Sequence, residues 1–478
     1  MSTLPDWFRH ARPVITAGDA VWDHEDLVGA ALEVADRLRA EGIAPGDRIG
    51  WFGHNDPWML ATLLACARHG VILTPLNWRL ASEELRWIAE DAGLRLVFRG
   101  PGVASPRAWL PQGAVSVPSD LSDVALDALG GPQIGAGEEQ ADAPLLLVYT
   151  SGTSGRPKGV VLTQAAIEAN ARHAVALFGL TAEDHVLTVL PMFHVGGLCI
   201  QTLPALRAGA RVTLHPRFDP DAFFDTVARE RPTVTLLVPT VMRALVSHPR
   251  WASADLTSLR TIGAGSSEVP RDLIDAFHAR NIPVQQVYGT TETGPIAIAQ
   301  TEEEAWAAPG SLGRPVAEAR VGADGQIHVR GPNLFSGYWQ AGALAPRGDE
   351  WFATGDIGHA DAEGRWWFTD RLGNLIISGG ENIVPAEVER VLATAPGVAE
   401  GAVCGRPDPR WGEVPVAVVV PGPDFDRAAV LAHFEGRLAR FKHPQAVVVV
   451  PALPRTALGK VAMPALRVLA ARDENGAG

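Results

Sequence analysis

The feature that most constrains the fold is a regular alternation of short apolar runs with stretches whose apolar residues recur at helical spacing. An early helix is predicted from Leu27 to Leu38, with Gly42 marking its end. Later runs predict short strands separated by helix-capable sequence, and these are Arg211 to Leu214, Val234 to Val238, Leu259 to Ile262 and Pro283 to Val287. The alternation predicts an α/β fold with largely parallel sheets.

A loop rich in glycine and hydroxyl groups follows another apolar run, Leu145 to Val148, which is predicted to be a buried strand. Helix-spaced apolar residues continue from Thr163 to Phe178, so the loop is predicted to lie at a strand-to-helix turn. Its candidate phosphate-binding residues are Thr150, Ser151, Gly152, Thr153, Ser154, Gly155 and Lys158. Glycines let backbone N–H groups approach an anion, and the hydroxyls and the lysine add donors and charge. The loop therefore predicts nucleotide binding.

The same loop excludes one large class of nucleotide-binding proteins. A Walker A loop needs Ser or Thr directly after its Gly-Lys pair, because that hydroxyl binds magnesium. Here Gly159 follows Lys158. The P-loop NTPase interpretation therefore fails at its metal-binding hydroxyl.

Length and charge set broader limits. A chain of 478 residues with 47% hydrophobic content can bury large cores and is expected to hold at least two domains. A formal net charge of −13 disfavours nucleic acid as a partner. The 3 cysteines are widely separated and lack metal-ligand spacing, which is typical of a reducing compartment. No window approaches the roughly 18 apolar residues of a membrane span, so a cytoplasmic protein is expected.

Further motifs occur in a fixed order along nearly the whole chain. They are Pro191 to Gly197, Tyr288 to Thr293, Thr354-Gly355-Asp356, Asp370 to Asn382 and Pro454 to Lys460. Together with the loop before Gly159, they resemble the signatures of the adenylate-forming superfamily. Within it, the chain is most similar to the acyl-CoA synthetases of the AMP-dependent synthetase and ligase family.

The resemblance implies a role for each nucleotide-binding motif. Thr150 to Lys158 would hold the β- and γ-phosphates of ATP, Thr291 would contact the α-phosphate, and Glu292 would bind Mg²⁺. Tyr288 would stack on adenine, and Asp356 would accept the ribose hydroxyls. Arg371 would assist at the ribose or the phosphate as a catalytic cation. Lys460 would reach the acyl-phosphate as a catalytic cation. Further nucleotide-site residues implied by the resemblance are Gly263, Ala264, Gly265 and Gly289.

The resemblance also implies two domains with the active site between them. Residues 1–370 would form a large domain of stacked α/β sheets with a small β-barrel portion near Gly313 to Tyr338. Residues 371–478 would form a mobile α+β lid. The hinge would lie at Arg371 to Asn374, where Gly373 replaces the Lys or Asp that is usual in similar synthetases. Glycine allows more backbone states, so a looser balance between the two closures is expected.

Coenzyme A is the acceptor that the resemblance implies. His194 is similar to the gate that moves aside for the pantetheine thiol. The CoA-binding residues would be Gly379, Gly380, Trp411, Phe441 and Lys442. The segment after Phe441 has fewer basic residues than in relatives, so few cations are expected to contact the CoA phosphates.

The implied acyl pocket carries no fixed charge. It would be framed by His194, Val195, Leu198, Val238, Thr240 and Gly294. Amino-acid-activating relatives place an Asp near Val195, and malonate-activating relatives an Arg at Val287, so both substrate classes are disfavoured. The small residues Gly263 to Gly265 are expected to leave room for a chain or a flat ring. Fatty and aryl acids both stay open, with fatty acids slightly favoured.

Three functions are compatible with these motifs. The first is an ATP-dependent carboxylate:CoA ligase that forms an acyl-adenylate and then an acyl-CoA, releasing AMP and pyrophosphate. The second is an adenylating enzyme that loads an acyl carrier protein. The third is a non-catalytic binding protein, which is disfavoured because Lys158, Glu292, Asp356, Arg371 and Lys460 are all present.

Overall fold

The computed structural model describes residues 14–118, 141–150, 157–266, 268–378, 381–456 and 459–472. Its strands are β1 (Ile15–Ala17), β2 (Ala20–Trp22), β3 (Arg48–Phe52), β4 (Ile72–Leu76), β5 (Leu96–Arg99), β6 (Val115–Pro118), β7 (Pro144–Thr150), β8 (Lys158–Thr163), β9 (His185–Thr188), β10 (Arg211–Leu214), β11 (Val234–Leu237), β12 (Thr261–Gly265), β13 (Val284–Tyr288), β14 (Ile298–Ala299), β15 (Arg314–Pro315), β16 (Glu318–Val321), β17 (Gln326–Arg330), β18 (Gly337–Gln340), β19 (Ala343–Pro346), β20 (Phe352–Ala360), β21 (Trp366–Arg371), β22 (Ile376–Ser378), β23 (Glu381–Ile383), β24 (Val398–Asp408), β25 (Gly412–Pro421) and β26 (Ala446–Val449).

Helices alternate with these strands over most of the chain. They are α1 (His24–Ala40), α2 (Pro57–His69), α3 (Ser82–Ala92), α4 (Gln164–Phe178), α5 (Leu203–Ala208), α6 (Pro220–Glu230), α7 (Pro239–Val246), α8 (Arg271–His278), α9 (Glu302–Ala307), α10 (Pro385–Leu392), α11 (Arg427–Ala432) and α12 (Met463–Arg472). A π-helix spans Gly196–Thr202, and 3-10 turns span Pro106–Ala108, Thr291–Thr293, Leu372–Asn374 and Arg440–Lys442. None of the described helices combines the length and apolar character that a membrane span requires.

The described chain divides into two compact units. The first holds the described residues up to Ala319 together with Val329–Phe352 and Ala362–Trp366. The second holds Arg320–His328, Ala353–Asp361 and the described residues from Trp367 onward. The domain boundary that the sequence predicts at residue 371 stays a prediction.

Two large sheets build the first unit. One has the strand order β15-β14-β13-β12-β11-β9-β10-β1-β2, and the other has the order β19-β18-β8-β7-β4-β3-β5-β6. Strands β9 to β13 are parallel to their neighbours in this set, which places their carboxyl ends at one edge. Ligands of open α/β sheets bind at this edge, so it positions the candidate site.

Apolar side chains fill the space around both sheets. Helix α1 shows how the sequence achieves this, since Leu27, Val34 and Leu38 are buried on one face of it. The Asp23 side chain accepts the backbone N–H groups of the first turn and so fixes where that helix begins. The α/β fold predicted from the sequence is confirmed.

The second unit is built from smaller sheets. A four-stranded sheet has the order β16-β17-β20-β21, and a second sheet has the order β23-β22-β25-β24, with β26 parallel to β25. The long hairpin of β24 and β25 supports α10 on one side and α12 on the other, each over its own apolar cluster. This α+β arrangement is the one expected for the C-terminal part of the chain.

Candidate active site

The phosphate loop connects two antiparallel strands. Thr150 at the end of β7 lies opposite Lys158 at the start of β8, and residues 151–156 between them lie outside the described residues. The predicted strand-to-helix turn is therefore wrong. The run Val160 to Leu162 lies within β8, and α4 begins only after Thr163, whose hydroxyl caps it. The loop is anchored at both ends by ladder hydrogen bonds, and its far end presents the lysine.

The Tyr288 to Thr293 motif begins at the last residue of β13, at the carboxyl edge of the sheet. Gly289 is required there, because a Cβ at this position would overlap the Pro295 carbonyl oxygen. The next residues form the 3-10 turn that carries Glu292, and Asn333 secures it by donating to the Thr293 carbonyl oxygen at 2.6 Å. The motif is thus a tightly packed turn that holds Glu292 in place.

Glu292 lies close to a side chain that the sequence analysis did not identify. The Tyr338 hydroxyl donates to Oε1 of Glu292 at 3.0 Å, and the Lys158 ammonium lies 5.6 Å from the centre of the Tyr338 ring. The structure therefore brings Lys158 and Glu292, two predicted site residues, to one aromatic side chain. A distance of 46 residues along the chain separates Tyr338 from Glu292, so no local pattern signals the contact.

Glu292 is the residue that would hold a Mg²⁺ ion. The described residues hold no cluster of three or more His, Cys, Asp or Glu side chains suited to a metal ion. Mg²⁺ is usually bound through one or two carboxylates together with substrate phosphates, so a single Glu suits an ion that arrives with ATP. The residues present fit this group.

A buried hydroxyl supports the nucleotide fit. The Thr290 Oγ1 atom is buried and has no hydrogen-bond partner among the described residues. An unpaired buried hydroxyl costs free energy unless a ligand pairs it. It adjoins Thr291, the residue predicted to contact the α-phosphate, so an anionic oxygen of the nucleotide is the partner that suits it.

The predicted gate, His194, lies just before the π-helix Gly196–Thr202. His194 accepts the Gly196 N–H at its Nδ1 atom, at 3.1 Å. The π-helix after it is fixed by Asn170, which donates to the Cys199 carbonyl oxygen at 2.7 Å and accepts from the Ile296 N–H at 3.1 Å. π-helical turns occur often at functional sites.

The other predicted pocket residues differ in exposure. Val195, Leu198 and Gly294 are buried, Val238 is half-buried, and Thr240 is exposed at the start of α7. All of them are uncharged, so the described part of this set offers no fixed charge to a substrate. Their role in binding stays a prediction.

Close packing explains why β12 contains glycine at positions 263 and 265. A Cβ on Gly263 would lie 2.7 Å from Cδ1 of Leu236 and 2.9 Å from Cζ of Phe178, and one on Gly265 would overlap the Val287 carbonyl oxygen. The room beside Gly263 is therefore filled by core side chains, contrary to the expectation that it is left for a substrate. Ala264 between them is fully buried.

In the second unit, the Thr-Gly-Asp motif lies within β20. The Thr354 hydroxyl donates to the Ile327 carbonyl oxygen at 2.8 Å and accepts the Asp356 N–H at 3.2 Å. Gly355 adopts φ = +78°, a conformation that favours glycine, and its N–H donates to the Gln326 side chain at 3.0 Å. These contacts hold the backbone on which the Asp356 side chain is carried.

Three predicted site residues form one charged cluster in this unit. Nε of Arg371 lies 3.0 Å from Oδ1 of Asp356. Burial and, after it, the charge of Arg371 lower the pKa of Lys460 to about 8, while Asp356 opposes the shift. The structure therefore brings together the predicted ribose ligand and the two predicted catalytic cations.

The predicted hinge is held by side chains on both sides of Gly373. The buried Asp370 carboxylate accepts the Arg371 N–H at 2.6 Å and the Ala386 N–H at 3.1 Å, the latter in the first turn of α10. From α12, Nη2 of Arg467 donates to the Gly373 carbonyl oxygen at 2.9 Å. These side chains thus hold the backbone around Gly373, and the looser balance between the two closures stays a prediction.

The predicted CoA-binding residues are only partly described, since Gly379 and Gly380 lie outside the described residues. Trp411 and Phe441 are 48% and 43% exposed, so both rings are accessible to a flat ligand. The Arg410 guanidinium lies 4.8 Å from the Trp411 ring. Lys442 instead contacts both oxygens of Glu387, at 2.8 and 2.6 Å, so an acidic partner offsets its charge.

Two family models match the chain. The AMP-binding enzyme family matches residues 8–339, and the AMP-binding enzyme C-terminal domain matches residues 387–460. The chain belongs to the AMP-binding enzyme family. The membership inferred from the motifs is therefore confirmed, and so is the prediction of an enzyme of the acid–thiol ligase class.

Three proteins show how far the similarity of this AMP-binding enzyme extends. It is 45% identical to an indoleacetate–CoA ligase of Aromatoleum aromaticum, over 98% of each chain. It is 39% identical to a feruloyl-CoA synthase of Amycolatopsis sp, over 95% of this chain and 94% of the other. The o-succinylbenzoate CoA synthetase of Bacillus subtilis, solved with its acyl-adenylate intermediate, is 30% identical with a TM-score of 0.85, covering 98% of this chain and 99% of the other.

Proposed function

We propose that the protein is an ATP-dependent ligase that joins an aromatic carboxylic acid to coenzyme A. The observation that carries the proposal is the cluster of Asp356, Arg371 and Lys460, in which the predicted ribose ligand and the predicted catalytic lysine belong to one unit. The contact of Tyr338 with Glu292 and Lys158 supports it from the other unit.

The first step would be attack of the substrate carboxylate on the α-phosphorus of ATP. A bond forms between a carboxylate oxygen and the α-phosphorus, which gives the acyl-adenylate, while the bond from that phosphorus to the pyrophosphate oxygen breaks. Two anions must approach each other, so fixed cations are needed where negative charge gathers. Lys460 would supply one at the acyl-phosphate and Lys158 another at the leaving phosphates. A bound Mg²⁺, held by Glu292, would neutralise part of the phosphate charge.

The second step would transfer the acyl group to sulfur. The CoA thiolate attacks the acyl carbonyl carbon, the C–S bond forms, and AMP leaves with the electron pair of the C–O bond. His194 would gate the path of the thiol. The exposed rings of Trp411 and Phe441 would receive the nucleotide end of CoA, since aromatic platforms bind bases by stacking.

The relatives support an aryl acid better than the fatty acid that the sequence analysis slightly favoured. Indoleacetate and ferulate are both aromatic acids, and they are named for the two relatives at 45% and 39% identity. The uncharged residues Val195 and Leu198 suit the apolar face of a ring. An acceptor other than CoA, such as a carrier protein, is the remaining alternative of the same class.

The test is a product scan with ATP, Mg²⁺ and CoA against a panel of acids. The panel holds indole-3-acetate, ferulate, cinnamate, benzoate, straight-chain fatty acids and malonate, and mass spectrometry follows acyl-CoA and AMP together. Thioesters from aryl acids alone are expected. Thioesters from fatty acids alone would overturn the substrate class, and acyl-adenylate without thioester would point to a carrier protein.

A single variant separates the two steps. Lys460→Ala is expected to lower acyl-adenylate formation about a hundredfold or more, because one fixed cation is lost where charge develops. Thioester formation from supplied acyl-adenylate should be unchanged. Equal loss in both steps would contradict the role given to Lys460.

A further inference from the structure

The hydroxyl of Tyr338 contacts the side chain that would bind the metal. We propose that Tyr338 is a positioning residue: it orients Glu292 for Mg²⁺ and holds the Lys158 ammonium beside the same ring. The inference rests on the proposed function, because it assumes that Glu292 meets a metal bound to ATP. The inference adds Tyr338 to the proposed site, and loss of its hydroxyl would lower the affinity for the metal.

The strand that carries Tyr338 explains how it reaches both partners. β18 pairs antiparallel with β8, so Tyr338 lies opposite Val160, two residues beyond Lys158. From there its Oη atom is 3.0 Å from Oε1 of Glu292, and its ring centre is 5.6 Å from Nζ of Lys158. One side chain thereby contacts the anion proposed to bind the metal and the cation proposed to bind the phosphates.

Glu292 is held at its backbone as well as at its carboxylate. The Phe335 N–H donates to the Glu292 carbonyl oxygen at 2.9 Å. The Phe335 ring packs edge-on against the Tyr338 ring, with centres 4.9 Å apart, and also against Phe352. The segment from Phe335 to Tyr338 therefore holds Glu292 at both its backbone and its carboxylate.

The chemistry of the contact leaves the carboxylate able to bind a cation. A phenol is neutral at neutral pH, so the Tyr338 hydroxyl donates its proton to the Glu292 carboxylate. The hydrogen bond engages Oε1, and a carboxylate has a second oxygen with its own lone pairs. Hydrogen bonds from outer groups commonly orient metal ligands, and their loss costs about 10–100-fold in metal affinity.

The hydroxyl and the ring have separable effects. Tyr338→Phe removes the hydrogen bond to Glu292 but keeps the packing against Phe335 and the aromatic face beneath Lys158. A merely structural tyrosine would change the melting temperature without changing metal affinity. A positioning tyrosine changes metal affinity in the folded protein.

The experiment measures binding of Mn²⁺, a paramagnetic substitute for Mg²⁺, by electron paramagnetic resonance in the presence of α,β-methylene-ATP. Tyr338→Phe is expected to raise the half-saturating Mn²⁺ concentration about tenfold, with an unchanged melting temperature. Tyr149→Phe is the matched control, because Tyr149 also donates its hydroxyl to a carboxylate, Asp91, at 2.6 Å. The control should keep the wild-type half-saturation.

A double-mutant cycle tests whether Tyr338 acts through Glu292. In the Glu292→Ala background, which leaves no side-chain oxygen to accept the hydroxyl, adding Tyr338→Phe should change the half-saturating concentration by less than about twofold. A full effect in that background, or a wild-type value for Tyr338→Phe alone, would overturn the inference while leaving the proposed ligase intact. Wild-type protein that shows no nucleotide-dependent Mn²⁺ binding would overturn both.

Discussion

Arg371 and Asp356 form an ion pair whose two ends differ in exposure, because the Asp356 carboxylate is buried while the Arg371 side chain is 57% exposed. A buried carboxylate needs a partner to offset its loss of hydration. The exposed guanidinium supplies one and still presents N–H groups to a ligand. The charges of Arg371 and Asp356 both affect the pKa of Lys460, so the net charge of the cluster depends on pH.

Adenylation is expected to weaken as pH rises through about 8, the pKa of Lys460. Below that pH the side chain is mostly an ammonium ion and can offset the acyl-phosphate charge. Above it the side chain is mostly a neutral amine. Hydroxylamine trapping of the acyl-adenylate across pH would show the descending limb. A Lys460→Arg variant, which stays charged, should lack the limb, and a flat wild-type profile well above pH 8 would contradict the role of the ammonium.

Trp411 is expected to contribute more to CoA binding than Lys442 does. Stacking of a base on an aromatic ring is worth about 1–3 kcal/mol, so Trp411→Ala should raise the KM for CoA about tenfold. Lys442→Met should change it within about twofold, because its ammonium already contacts Glu387 at 2.6 Å. The measurement is the thioester step from supplied acyl-adenylate. A larger effect of Lys442 would show that it leaves Glu387 to meet a phosphate.

Gly289→Ala is expected to disrupt the turn that carries Glu292. Its Cβ would overlap the Pro295 carbonyl oxygen, and overpacking of this kind costs about 1–3 kcal/mol. Melting temperature and ATP affinity should both fall. The matched control is Gly29→Ala in α1, where a Cβ meets no atom within 4 Å and the change should stabilise the helix by about 0.5–1 kcal/mol. Equal stability of the two variants would contradict the overlap.

The order of the motifs and the parallel strands could be predicted because both depend on patterns of neighbouring residues. The strand after the phosphate loop was missed, since the run Val160 to Leu162 merges with the helical pattern that begins at Gln164. The limits of β12 were misplaced because glycine has low strand propensity, and Gly263 is present to admit Leu236 and Phe178. These side chains come from distant parts of the chain.

Contacts between distant residues account for the part of the site that sequence did not reveal. Tyr338 carries no motif that points to Glu292, and the link appears only once β18 pairs with β8. Likewise, nothing local shows that Glu387 offsets the charge of Lys442 or that Arg467 reaches the hinge. A charge in a motif therefore gives the type of chemistry, and only the fold shows whether that charge already has a partner.

The hydrogen bond from Arg467 to the Gly373 carbonyl oxygen is expected to stabilise the arrangement in which Lys460 lies with Asp356 and Arg371. Arg467→Met removes a contact worth about 0.5–1.5 kcal/mol, so the adenylation rate should fall roughly two- to tenfold while the thioester rate is kept or rises. Pre-steady-state rates of the two steps make the comparison.

Two further variants decide whether this effect belongs to the hinge. Arg437→Met is the matched control, because Arg437 also donates to a backbone carbonyl in the same unit, that of His433, at 2.7 Å. It should leave both rates unchanged. Gly373→Lys restricts the backbone that glycine leaves free and should also change the ratio of the two rates. If neither Arg467→Met nor Gly373→Lys alters that ratio, the pivot does not lie at Gly373, and the order seen there serves only to hold α12 in place.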